Sequence, residues 1–91
     1  MSSVDATLEE CGKRYGKFDG QARIAQGLKQ IIMLVNPAKY ELMAADQKEA
    51  LDMICHKIAR IINGDPDYAD SWHDIAGYAK LVEDRLNGNS K

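Results

Sequence analysis

The chain has 91 residues, 45% hydrophobic and 29% charged, with a formal net charge of −2 from twelve basic and fourteen acidic side chains. That describes one small domain, residues 1–91, which removes only about 60–65% of its unfolded surface from water, so a partner subunit would help it. Two prolines and seven glycines exclude collagen-like and low-complexity chains. No run approaches the roughly 20 apolar residues of a membrane span, and no basic-then-apolar signal segment opens the sequence. Duplex DNA binding needs a concentrated basic surface that this balance does not supply. Cys11 and Cys55 form no CxxC pair and read as reduced core thiols of a cytoplasmic protein.

The periodicity is helical from end to end. A first helix starts near Ser3, a candidate cap, and carries Val4, Leu8, Cys11 and Tyr15 at three- and four-residue steps. The segment from Arg14 to Gly20 breaks the pattern, since Gly16 and Gly20 weaken a helix. Asp19 is the candidate cap of a second helix with the stripe Ile24, Leu28, Ile31, Ile32 and Val35. Asn36-Pro37 ends it, because proline disfavours helical geometry in the preceding residue. A connector to about Met43 has room for one helical turn.

A third helix spans about Ala44 to Asn63, with Leu51, Ile54, Cys55, Ile58, Ile61 and Ile62 on its apolar face. Gly64 is placed as a left-handed terminator. Asp65-Pro66 or Asp67 opens a fourth helix, striped with Tyr68, Trp72, Ile75, Ala79, Val82 and Leu86 and ending at Asn87-Gly88. No segment shows the alternation of a strand. The expected fold is all-α: a small antiparallel bundle of four helices, whose two C-terminal members, each of about 20 residues or roughly 30 Å, form the spine.

Two polar margins carry the chemistry. Residues 46–91 hold nine acids against six bases, and Asp65, Asp67, Asp70 and Asp74 fall within ten residues. On the third helix Glu49, His56 and Arg60 project in nearly one direction, flanked by Asp52 and Lys57. The fourth helix carries Asp70 and Asp74 one turn apart. Carboxylates at such spacing can hold Mg²⁺ through oxygen, leaving water and substrate phosphates to complete the shell. Lys57, Arg60, Arg14 and His56 would then meet phosphate oxygens. The competing reading is a solvated face of ion pairs worth a few tenths of a kcal/mol each. Antiparallel neighbours need not bring Asp52 and Asp70 to one height.

Smaller signals each have two readings. His56 either meets a phosphate or is a hydrogen-bonded histidine at the helix margin, while His73 faces water. Trp72 anchors the core with its indole N–H at the rim, or stacks on a base. Gly77 in mid-helix, next to Tyr78, implies close approach of a helix or ligand, since glycine there costs about 1 kcal/mol. Arg14-Tyr15-Gly16-Lys17-Phe18 joins two cations and two aromatics, suited to a phosphate or purine and equally to a plug.

The blocks Arg14-Tyr15-Gly16-Lys17-Phe18 and His56-Lys57-Ile58-Ala59-Arg60-Ile61, with Asn63-Gly64-Asp65-Pro66 and Tyr68 through Tyr78, resemble a family of small phage and prophage proteins. That family is known only as a domain of unknown function. The resemblance implies a viral or prophage origin and the bacterial cytoplasm. The order Lys-x-x-Arg, loop, Asp-x-x-x-Asp-x-x-x-Tyr is similar to phage nucleotide-modification-associated domains and to MazG-like all-α nucleoside triphosphate pyrophosphohydrolases. Those enzymes are usually oligomeric and bind Mg²⁺ through ExxE…ExxD. Glu49 and Asp52 stand at the first pair, and Asp70 and Asp74 at the second, spaced four rather than three.

Three functions follow as expectations. One is a Mg²⁺-dependent nucleotide pyrophosphohydrolase or nucleotide-binding domain. Another is a non-catalytic phage inhibitor that sequesters a host defence protein or a nucleotide signal. The third is a structural homo-oligomer.

Overall fold

A computed structural model describes residues 3–89, and they form five α-helices: α1 (Ser3–Tyr15), α2 (Phe18–Leu34), α3 (Pro37–Leu42), α4 (Ala45–Asn63) and α5 (Ala69–Leu86). The fold is all-α, with no strand among the described residues. It has five helices rather than four because the connector after α2 closes a full short helix. Pro37 opens α3, and the Asn36 side chain caps it by accepting the Lys39 amide at 3.3 Å.

The centre is α4. It packs α5 on one side, α2 on the other and α1 along part of its length. Its N-terminus is closed by Gln47, whose side chain accepts the Ala44 amide at 2.9 Å. The pairs Lys57–Asp74 and Asp46–Arg85 run in opposite directions along α4 and α5, which fixes the two as antiparallel. Gln21 against His56 and Lys17 against Asn63 do the same for α2 and α4.

Small side chains mediate these approaches. The buried apolar residues are Ala25, Ala50, Cys55, Ala59 and Ile61. Several expected core positions lie outside: Ile62, Trp72, Leu86, Ile31 and Val35 are all more than half exposed. The indole N–H of Trp72 donates to the Pro66 carbonyl at 2.8 Å, so the ring braces a turn and does not anchor the core. Cys55 is buried as expected, but Cys11 is exposed, because α1 buries no residue.

The junctions differ from expectation in instructive ways. Ser3 is already helical, its carbonyl accepting the Thr7 hydroxyl. The N-cap of α2 is Lys17, with Asp19 in the first turn. Helix α5 begins at Ala69 behind Tyr68, and Asp65 instead closes a turn by accepting the Asp67 amide at 2.9 Å.

Gly64 has φ −133° and is not left-handed. Its lack of a side chain matters for another reason: a Cβ there would meet the Arg14 carbonyl and the Tyr15 backbone. At this junction Gly16, at φ 77°, is left-handed instead, and it faces the Asn63 backbone and carboxamide.

Candidate anion-binding cleft

The two sequence blocks that stood out meet in space. At the end of α4 the Asn63 carboxamide donates to the carbonyls of Tyr15 at 2.8 Å and Lys17 at 2.7 Å, while the Asp65 amide donates to the Arg14 carbonyl at 2.7 Å. The Arg14 and Tyr15 carbonyls are groups that the break between α1 and α2 leaves without helical partners, whereas the Lys17 carbonyl also accepts the Gln21 amide within α2. These bonds fix the loop, and with it Tyr15, against α4.

On that frame Arg60 lies with its guanidinium 4.3 Å from the centre of the Tyr15 ring. Arg14 lies 4.8 Å over the ring of Tyr68 and donates to its hydroxyl at 2.7 Å. The two tyrosines meet edge to face at 6.1 Å. The two arginines nevertheless differ in kind. Arg14 is also paired with Glu10 at 2.9 Å, and the Tyr68 hydroxyl donates on to Asp70 at 3.0 Å, which pushes the Tyr68 pKa up. Arg60 pairs with no carboxylate among the described residues, and its buried Nε has no hydrogen-bond partner.

Arg60 borders a cleft of about 530 Å³ shared with Leu8, Cys11, Tyr15, Lys17, Phe18, Gln21 and His56. The Gln21 carboxamide nitrogen lies 3.4 Å from His56 Nε2. Burial, and then the positive charges of Arg60, Lys57 and Lys29, hold the His56 pKa below the ordinary value. The cleft therefore offers an apolar wall and cations without a counter-ion among the described residues. Such a site is suited to a ligand that joins a flat ring to an anionic group.

The expected cage of acids does not form within the chain. Among the described residues no three His, Cys, Asp or Glu side chains are grouped around a metal-sized space. The helix register explains this. With Lys57 opposite Asp74 and Asp46 opposite Arg85, Asp52 falls level with Ala79, about 8 Å along the axis from Asp74 and about 14 Å from Asp70. Asp52 also projects about 140° around α4 from Lys57, the residue that meets α5. Its charge reaches Cys55, whose thiol pKa is raised first by burial and then by Asp52.

Lys57, expected on phosphate, is committed to Asp74 at 3.0 Å. Glu49 lines a separate groove between α4 and α5 with Tyr78 and Arg85. Gly77 borders a shallow surface beside His73 and Asp74, and a Cβ there would meet nothing, so no close helix approach accounts for it. Arg60, His56, Tyr15 and Phe18 are the expected residues that come together. Gln21 and Asn63 join them from outside the expected set. Asn63 stood inside the second sequence block, and its position directly before Gly64 was the available signal.

What these elements define is a helical domain in which one glycine-hinged loop is pinned to a central helix beside a cationic, aromatic-lined cleft. The chain belongs to the DUF6378 family, a domain of unknown function whose model matches residues 4–86. Neither a curated protein nor a solved structure matches it. No helix among the described residues is long and apolar enough to cross a membrane.

Proposed function

We propose that the protein binds a nucleotide in the cleft between the α1–α2 loop and α4. The observation that carries this reading is Arg60: a guanidinium seated on Tyr15, facing a largely apolar cleft and paired with no carboxylate among the described residues. A phosphate takes hydrogen bonds from guanidinium more strongly than a neutral acceptor does. Lys17 adds a second cation and His56 an imidazole that gains a proton when an anion arrives. Phe18, exposed at the rim, offers a face for a base.

The resemblance to phage nucleotide-modification-associated domains and MazG-like pyrophosphohydrolases points to the same ligand class. Of the expectations above, binding or sequestration of a nucleotide has the most support. Hydrolysis with Mg²⁺ held by Glu49, Asp52, Asp70 and Asp74 has less, since those carboxylates are not gathered within one chain.

Calorimetric titration with nucleoside triphosphates, with and without Mg²⁺, tests the reading. Binding is expected, with Arg60→Ala weakening it at least about tenfold, the loss of one charged hydrogen bond. Lys80→Ala, on α5 and paired with Asp84, serves as the control and leaves affinity unchanged. Absence of binding, or an affinity indifferent to a folded Arg60→Ala, overturns the proposal.

A further inference from the structure

Towards its C-terminal end α2 leaves one face uncovered by the other described residues. Gly27, Ile31, Leu34 and Val35 line one side of it around an open groove of about 490 Å³, and Ile31, Leu34 and Val35 are 61%, 68% and 78% exposed. Nothing lies within 4 Å of where a Gly27 Cβ would be, so the backbone itself is open to close approach. The remaining lining residue is Gln30, which carries no charge.

The protomer exposes 6500 Å², whereas a compact protein of its 10.1 kDa exposes about 5,300 Å². The excess of about 1,200 Å² is more than the roughly 800 Å² that each partner gives up in a standard interface. The radius of gyration says the same, at 15.2 Å against about 12 Å for a compact chain of this length. Among the described residues no large side chain is fully buried. A protomer this open has apolar surface to spare for covering by a second copy.

We infer that the Gly27–Val35 face of α2 is a homodimer interface, seating the same face of a second copy. A two-fold interface brings a patch onto itself, so any charge in it would meet its like. This patch has no charge to repel its copy, and a glycine opposite leucine and isoleucine gives the small-against-large relief that lets two helices interlock. A charged partner surface would find no complement here. The inference stands independently of the ligand reading, because none of these residues borders the cleft.

Sedimentation equilibrium of the full chain is expected to return twice the 10.1 kDa chain mass, and Leu34→Glu the chain mass itself with helical circular dichroism retained. A wild-type monomer at every concentration overturns the inference, and a folded Leu34→Glu that remains dimeric overturns the choice of face. Where Leu34→Glu unfolds, a chain carrying Cys11→Ser and Gln30→Cys decides. Oxidation is expected to yield a covalent dimer, while Lys80→Cys in the same background yields none. Failure of Gln30→Cys to cross-link overturns the inference.

Discussion

Asn63 occupies the space that a side chain on Gly16 would need, and its carboxamide uses that space to hold the chain on either side of the glycine, at Tyr15 and Lys17. Glycine at one position and asparagine at the other are thus a single device. Beside the left-handed backbone at Gly16 the amide nitrogen donates to both carbonyls, supplying the donor at Tyr15 and a second one at Lys17, which also accepts the Gln21 amide.

Removing that device destabilises the fold. Asn63→Ala leaves the Tyr15 carbonyl without its donor, while the Lys17 carbonyl keeps the Gln21 amide, and is expected to cost about 1–3 kcal/mol in urea unfolding. Gly16→Ala is expected to cost at least as much, since it adds left-handed strain to a collision with the Asn63 backbone. An Asn63→Ala protein as stable as the parent would show the latch to be incidental.

The Lys57–Asp74 pair carries a second prediction. Its lysine side chain is 11% exposed while the carboxylate is 43% exposed, so the cation depends on the pair more than the anion does. Asp74→Asn is expected to cost about 1–3 kcal/mol by leaving that ammonium without a counter-charge. Lys57→Met combined with Asp74→Asn is expected to recover most of the loss, because an apolar chain fills the same slot. A double-mutant cycle by thermal unfolding measures the coupling.

Asp46 and Arg85 tie the start of α4 to the end of α5 through two hydrogen bonds of 2.8 and 2.7 Å. The bond from Arg85 is the main reason the Asp46 carboxyl titrates below its ordinary value. A lowered carboxyl pKa contributes stability above the ordinary value and loses it as pH falls through the lowered one. In Arg85→Gln, carbon-detected NMR is expected to show Asp46 returning toward the ordinary aspartate pKa. An unmoved titration would mean that the pair does not persist in solution.

The helices themselves were legible because 3.6-residue periodicity and Pro37 act within a few residues of where they stand. The loop that matters was legible as composition, two glycines among aromatics and cations, but its partner was not. Asn63 lies 46 residues from Lys17, and no local rule connects them. The acids show the same limit from another side. Spacing places Glu49 with Asp52 and Asp70 with Asp74, yet whether the pairs meet depends on register across the 64–68 connection. Tyr68, held by Arg14, and Pro66, held by Trp72, set that register. The stripe on α2 is apolar, but periodicity does not distinguish a face toward the core from one left open, and Ile31 and Val35 are open.

His56 gives the cleft a pH signature. Its pKa is lowered in the fold, chiefly by burial and then by Arg60, Lys57 and Lys29, so the unfolded chain takes up the proton first as pH falls. Unfolding stability is therefore expected to be flat above the ordinary histidine value of about 6.5 and to decline as pH drops from there toward the lowered folded value. His56→Gln, which keeps a polar group beside Gln21, is expected to remove this part of the slope between pH 5 and 7. A bound phosphate reverses the balance of charge at the imidazole, so saturating nucleotide is expected to raise the His56 pKa in a proton NMR titration. Histidine shifts that ignore the nucleotide would place any bound phosphate away from this ring and count against Arg60 as its holder.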